Sequence, residues 1–166
     1  MEWKYVEQYL RTRTEYKGSG ASGETRRLRY TKLYHGSYSS FSPDTAPDLD
    51  DFLYEPFYQL MRQRLLGDRM VQEHELGIDE AKVVVVVPEG NWAYRVICDR
   101  NAVTSPPLAQ RWPEHETVEA VMRASLRDPA AKFAMVAPST LLNTVVQSLP
   151  SETSEWARYW NVRYGV

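Results

Sequence analysis

Five consecutive valines, Val83 to Val87, closed by Pro88, constrain this chain more than any other stretch. A strand with one wet face alternates apolar and polar residues. An unbroken apolar run belongs to a strand covered on both faces, as in a sheet flanked by helices. The run is far shorter than the roughly 20 residues a membrane-spanning helix needs. Such a strand requires helices on either side of it in sequence, and the chain supplies them.

Upstream, "LYEPFYQLMRQRLLGDRMVQEHELG" carries the strongest helix signal. Pro56 is tolerated only in a first turn, which predicts a start near Leu53 to Glu55. Tyr54, Phe57, Tyr58, Met61 and Leu65 fall on one apolar arc, with Glu55, Gln59, Arg62 and Arg69 on an adjoining polar arc. Gly77 is the expected C-terminal stop. Downstream, Thr117 to Asp128 is amphipathic, with Val118, Val121, Met122 and Leu126 on one face, and Lys132 to Ala137 reads as a second buried strand. Ser139 is expected to cap a further helix, and a last one runs from Ser154 to Tyr164 with Trp156, Trp160 and Tyr164 at i, i+4, i+8.

The first third is less regular. Trp3, Tyr5, Val6 and Tyr9 suit a strand on which Glu2, Lys4 and Val6 share a face. "KGSGASGE" reads as a flexible loop or hairpin tip, and "SSFSPDTAPDLDD" as loop. "TRRLRYTKLYHG" fits a short helix or a strand equally. "EGNWAYRVI" and "NAVTSPPLAQRWP" are mixed loop and short elements. Strands alternating with helices imply an α/β layered fold, a mixed sheet flanked by helices, in one domain over residues 1–166.

Charge and composition exclude several functions. The formal net charge of −2 argues against indiscriminate coating of nucleic acid, while leaving room for a local basic surface. Met1 to Tyr34 holds eight Lys or Arg against four Glu, whereas Phe41 to Glu55 holds five acids and no base. Cys98 is the only cysteine, so neither an intrachain disulfide nor a cysteine zinc cluster can form. His35, His74 and His115 have no ligand spacing. No GxxxxGK[ST], HExxH or GxSxG motif occurs, "GSGASGE" has glycines but no clear buried strand and helix to frame it as a phosphate cradle, and the first residues lack a signal peptide's apolar stretch. A cytoplasmic protein without a membrane partner is expected.

One triplet remains. In Glu2-Trp3-Lys4 an acid and an amine two apart on a strand point the same way. A carboxylate can hold Mg²⁺, and an ammonium can stabilise charge developing on a phosphorane. Alone, the triplet equally describes an exposed strand with alternate charges.

With its context, "EWKYVEQY" followed by "YEPFYQLMRQRLL" and "VVVVVPEGN" resembles the PD-(D/E)XK nuclease superfamily, its restriction-endonuclease-like branch. The resemblance covers nearly the whole chain and maps to the later two-thirds of such a protein. It implies a DNA partner, phosphodiester hydrolysis and Mg²⁺, and it admits a homodimer. Glu2 would be a metal ligand, with the carbonyl of Trp3 assisting. Lys4 would position or activate the attacking water, and Gln59 would support the site from the helix. Arg11, Arg13, Arg26, Arg27 and Arg29 would follow the phosphate backbone; on the bare sequence they also fit a solvated loop.

The superfamily places an Asp upstream of E-x-K, on a strand that this sequence does not contain. The first core helix and first two strands are likewise missing. The expectation is therefore an N-terminally incomplete nuclease-like domain, inactive as this chain. The alternative is a non-catalytic α/β module that binds a protein or nucleic-acid partner through an exposed C-terminal helix carrying Trp156 and Trp160.

Overall fold

The computed structural model describes residues 16–99 and 102–141, positions 155, 158, 159 and 162, and the backbone of Glu2 and Trp3; Cys98, Asp99 and Ala102 are likewise described by backbone alone. In chain order the elements are β1 (Glu2–Trp3), α1 (Gly20–Tyr34), α2 (Phe57–Gln72), β2 (Val83–Val86), α3 (Trp92–Arg95), β3 (Cys98–Asp99), β4 (Ala102–Val103), α4 (Pro106–Arg111), α5 (Val118–Ala124), α6 (Pro129–Lys132) and β5 (Phe133–Val136).

The valine run is the central strand of a parallel sheet of order β1-β2-β5. Val83 pairs with Phe133 and Val86 with Val136. Val85, Val86 and Val87 point alternately to the two faces, and all three are fully enclosed. Both faces of the sheet are therefore covered, as the unbroken run requires, and the fold is α/β. The antiparallel ladder β3-β4 stands apart from it.

Helix α2 packs on β2, and its Phe57, Leu60 and Met61 are each fully buried in the core. Enclosing side chains of this kind contributes roughly 1.5–3 kcal/mol each. Its start differs from expectation: Pro56 is the N-cap, and the helix begins at Phe57. Proline's missing N–H costs nothing where no intrahelical bond would form. The helix ends at Gln72, and Gly77 closes a separate 3-10 turn, Glu75–Gly77.

The glycine-rich segment is not the expected loop. It is the entry of a 15-residue helix, with Ser19 as N-cap and the Gly23 N–H donating to the Ser19 carbonyl at 3.1 Å. A Cβ at Gly23 would stand 2.0 Å from the Gly18 carbonyl oxygen, so glycine is required where the chain closes on itself. Tyr30 and Tyr34, at i and i+4, are its buried contacts. Tyr34 stacks on Phe41 at 4.7 Å between centroids and meets Phe52 edge-on at 6.1 Å. Its hydroxyl donates to the Pro47 carbonyl at 2.7 Å, tying the acidic loop and the 3-10 turn Leu49–Phe52 to α1. Burial and the neighbouring Asp51 and Asp48 push the Tyr34 pKa well up.

After the sheet, Val118, Val121 and Met122 bury one face of α5 against the core, as their spacing predicts, and α5 packs on β5. Thr117 is its cap, accepting from the Ala120 N–H at 3.1 Å. The following helical turn begins at position 138, so Ser139 lies inside it and does not cap it; Pro138 at the first helical position explains the shift.

The least expected core member is Arg64, fully enclosed on α2. Its Nη1 donates to the carbonyls of Ala81, at 2.7 Å, and Lys132, at 3.0 Å. Its Nη2 donates to Asp68 at 3.0 Å, and Asp68 also accepts from the Ser40 N–H at 2.8 Å and from the Ser40 hydroxyl. Gly67 makes room for it. A Cβ there would lie 2.8 Å from Arg64 Nη2 and 3.0 Å from the Ala81 Cβ.

Candidate functional site

Two surfaces gather the residues to which sequence reasoning points. The first is the end of the parallel sheet. Glu2 pairs with Val85 and Trp3 with Val86, beside the last two residues of β2. This places the start of the E-x-K triplet toward the carboxyl ends of the strands, where open α/β sheets bind ligands. At the same end, Arg95 donates from Nη2 to the Val87 carbonyl at 2.6 Å, holding the turn that follows β2. Lys4, Arg11, Arg13, Trp156 and Trp160 lie outside the described residues.

The second surface is an open groove of about 360 Å³ between α1 and α2, lined by Tyr30, Leu33, Gln59, Arg62, Leu66 and Arg69 among others. Gln59 belongs here. At about 100° per residue it sits some 140° around the helix from Arg64, which reaches toward the sheet.

Arg26, Arg27 and Arg29, grouped together by sequence, have different environments. Arg27 is held by Asp50 in a two-pronged pair, at 2.6 and 3.0 Å, and donates to the Tyr16 hydroxyl at 3.0 Å. The Asp50 hydrogen bond raises its pKa, so it is charged but neutralised in place. Arg26 donates to neutral acceptors, the Tyr58 hydroxyl at 3.2 Å and the Lys17 carbonyl at 2.8 Å. Arg29 is exposed on α1 beside Tyr30.

Tyr58 gathers two cations next to the groove residue Tyr30. The Arg26 guanidinium lies 5.5 Å and the Arg62 guanidinium 5.3 Å from its ring centroid, within cation–π range. Tyr30 meets the same ring edge-on at 6.1 Å. Burial opposes ionisation of Tyr30, yet its pKa is lowered overall by hydrogen bonding to Tyr58 and Arg29 and by the charge of Arg62. Arg69, by contrast, is matched by Glu73 at 2.9 Å.

Tyr30, Tyr58 and Arg62 were missed as site residues. The polar arc of α2 places Arg62 beside Gln59, which was the usable signal. Tyr30 had none, because its segment did not declare itself a helix. Among the described residues, no three of His, Cys, Asp or Glu gather as a metal-holding group, and no helix is long and apolar enough to cross a membrane.

A family model described as Restriction Endonuclease associating with ARP matches residues 1–165. No curated protein and no solved structure matches the chain. The chain belongs to that restriction-endonuclease family.

Proposed function

Taking that membership as the premise, we propose that this chain carries the E-x-K part of a Mg²⁺-dependent phosphodiester hydrolase of the PD-(D/E)XK kind that acts on DNA, with Glu2 and Lys4 as the residues of its catalytic pair. The observation that supports the reading is the parallel pairing of β1 with β2, beside the last residues of β2, in a family named for restriction endonucleases; the carboxyl ends of strands are where open α/β sheets bind ligands.

The donors this reading calls on are the Glu2 carboxylate and the Trp3 carbonyl. Both are hard oxygens, the kind Mg²⁺ takes, and Mg²⁺ keeps several waters beside one or two protein oxygens. When bound, the ion would supply Lewis acidity at the phosphate. Lys4, two residues on from Glu2 in the sequence, would hold the attacking water by hydrogen bonding and offset negative charge as it builds on the phosphoryl oxygens. Arg26 and Arg29 on α1 would contact the DNA backbone, fixing its position without reading its sequence.

The test is cleavage of supercoiled plasmid by this chain with and without Mg²⁺. Nicking that needs Mg²⁺ and falls by at least about 10²-fold in Lys4→Ala supports the reading, a loss in the range expected for a group engaged at the transition state. Equal nicking by wild type and Lys4→Ala rejects the assignment of Lys4. No nicking at any Mg²⁺ concentration rejects catalysis by this chain.

A non-catalytic module is the second reading. One observation favours it: helical positions Tyr159 and Val162, three apart, are 54% and 82% exposed. The family's description names association with ARP, and such a face suits a protein partner. Co-purification with ARP that is lost in Val162→Glu would support it; an unaffected complex would count against that face.

A further inference from the structure

Arginines on this surface divide by what neutralises them. Asp50 matches Arg27 and Glu73 matches Arg69. Among the described residues, no carboxylate bonds to Arg26, Arg29 or Arg62. Arg26 and Arg62 flank the Tyr58 ring, Arg29 adjoins Tyr30 on α1, and of these residues Arg62 and Tyr30 line an open groove larger than a phosphate group alone. Guanidiniums crowded around one aromatic pair repel one another, and an anion placed among them relieves that repulsion. The guanidinium fork matches phosphate oxygens two at a time, and a tyrosine hydroxyl adds a further donor. Leu33, Leu65 and Leu66 also line the groove and give it apolar surface that suits a sugar.

We propose that the α1–α2 groove is a phosphate-binding site for a DNA strand, with Arg29 and Arg62 as its charged contacts and the Tyr30 hydroxyl as a neutral one. It is separate from the proposed pair Glu2 and Lys4: its residues come from α1 and α2 alone. Its function is to hold a backbone phosphate, and so to fix where the strand lies relative to the sheet. The inference shares with the proposed function the assumption that DNA is the ligand, but it needs no cleavage.

The experiment is fluorescence anisotropy of the full chain with a labelled duplex oligonucleotide in EDTA, repeated over a range of salt. The Arg29→Gln/Arg62→Gln double variant is expected to bind about tenfold more weakly at low salt. It should also flatten the slope of log K against log salt by about 1–2 units, since each lost phosphate contact removes about 0.9. Tyr30→Phe keeps the ring and its packing and should weaken binding by a smaller factor. Arg123→Gln, on α5 and paired with Glu119, controls for a general loss of charge and should leave the slope unchanged. Circular dichroism of each variant separates misfolding from lost contact. Unchanged affinity and slope in a folded double variant overturns the proposal. So does saturation of the groove by inorganic phosphate, followed through tyrosine signals, with no effect on DNA binding; that would make it a site for free phosphate. Binding is read in EDTA, where no cleavage occurs, so failure of the cleavage reading and failure of this one are distinguishable.

Discussion

Arg62 and Arg64 lie two residues apart on α2 and meet opposite environments. Arg64 is sealed between helix and sheet, its charge spent on two backbone carbonyls and Asp68. Arg62 is exposed over the Tyr58 ring, with no acid bonded to it among the described residues. One helix thus carries a face that holds the fold and a face that is open to a ligand. The difference teaches that residue type does not assign a role here; what matters is whether the protein itself supplies the counter-charge and hydrogen-bond acceptors.

Breaking the sealed face should cost most. Arg64→Met leaves Asp68 with a buried charge and should lower stability by about 3–5 kcal/mol in urea unfolding. Arg62→Gln in the same assay should change it by no more than about 0.5 kcal/mol. If the two losses were equal, the contrast would be wrong. The apolar residues sharpen it. Leu60→Ala, fully enclosed, should cost about 2–5 kcal/mol, whereas Leu66→Ala, 60% exposed, should stay within about 0.5 kcal/mol.

A smaller effect is expected where α1 joins the loop. Tyr34→Phe keeps the ring stack but removes the donor to the Pro47 carbonyl, for about 1 kcal/mol measured by the same unfolding curves.

The smallest is pH-dependent. Burial first, and then neighbouring Asp48, raise the Asp51 carboxyl pKa. A carboxyl with a folded pKa above its unfolded one lends stability that is complete below the unfolded value and lost as pH rises through the folded value. Asp51→Asn should therefore raise the melting temperature near pH 7, and that advantage should shrink as pH falls into the acid range. A gain that grew on acidification would refute this account of Asp51.

What the sequence disclosed follows from how local each cause is. The strand Val83–Val87 and the helix face of Val118, Val121 and Met122 declare themselves because both signals are periodic and contiguous. Helix α1 does not. Its entry is glycine and serine, its middle is arginine and threonine, and only Tyr30 and Tyr34 mark the buried side. Arg64 was illegible for another reason: its acceptors stand at Ala81 and Lys132, 17 and 68 residues away. The groove has the same character, since it exists only once α1 and α2 lie side by side. Glu2 could be picked out because its partner in the triplet is two residues distant.

Five valines in a row present the same side chain at every step. Such a strand carries little information about its own register, because a slip by one residue exchanges valine for valine on each face. The guanidinium of Arg64 supplies what the run lacks. It takes a carbonyl just ahead of β2 and another just ahead of β5, so both strands are measured from one fixed point on α2. A slipped β2 would keep its greasy faces and forfeit those bonds. In this domain a buried cation helps to set the alignment of the sheet, and with it the position of the strand end beside which Glu2 stands.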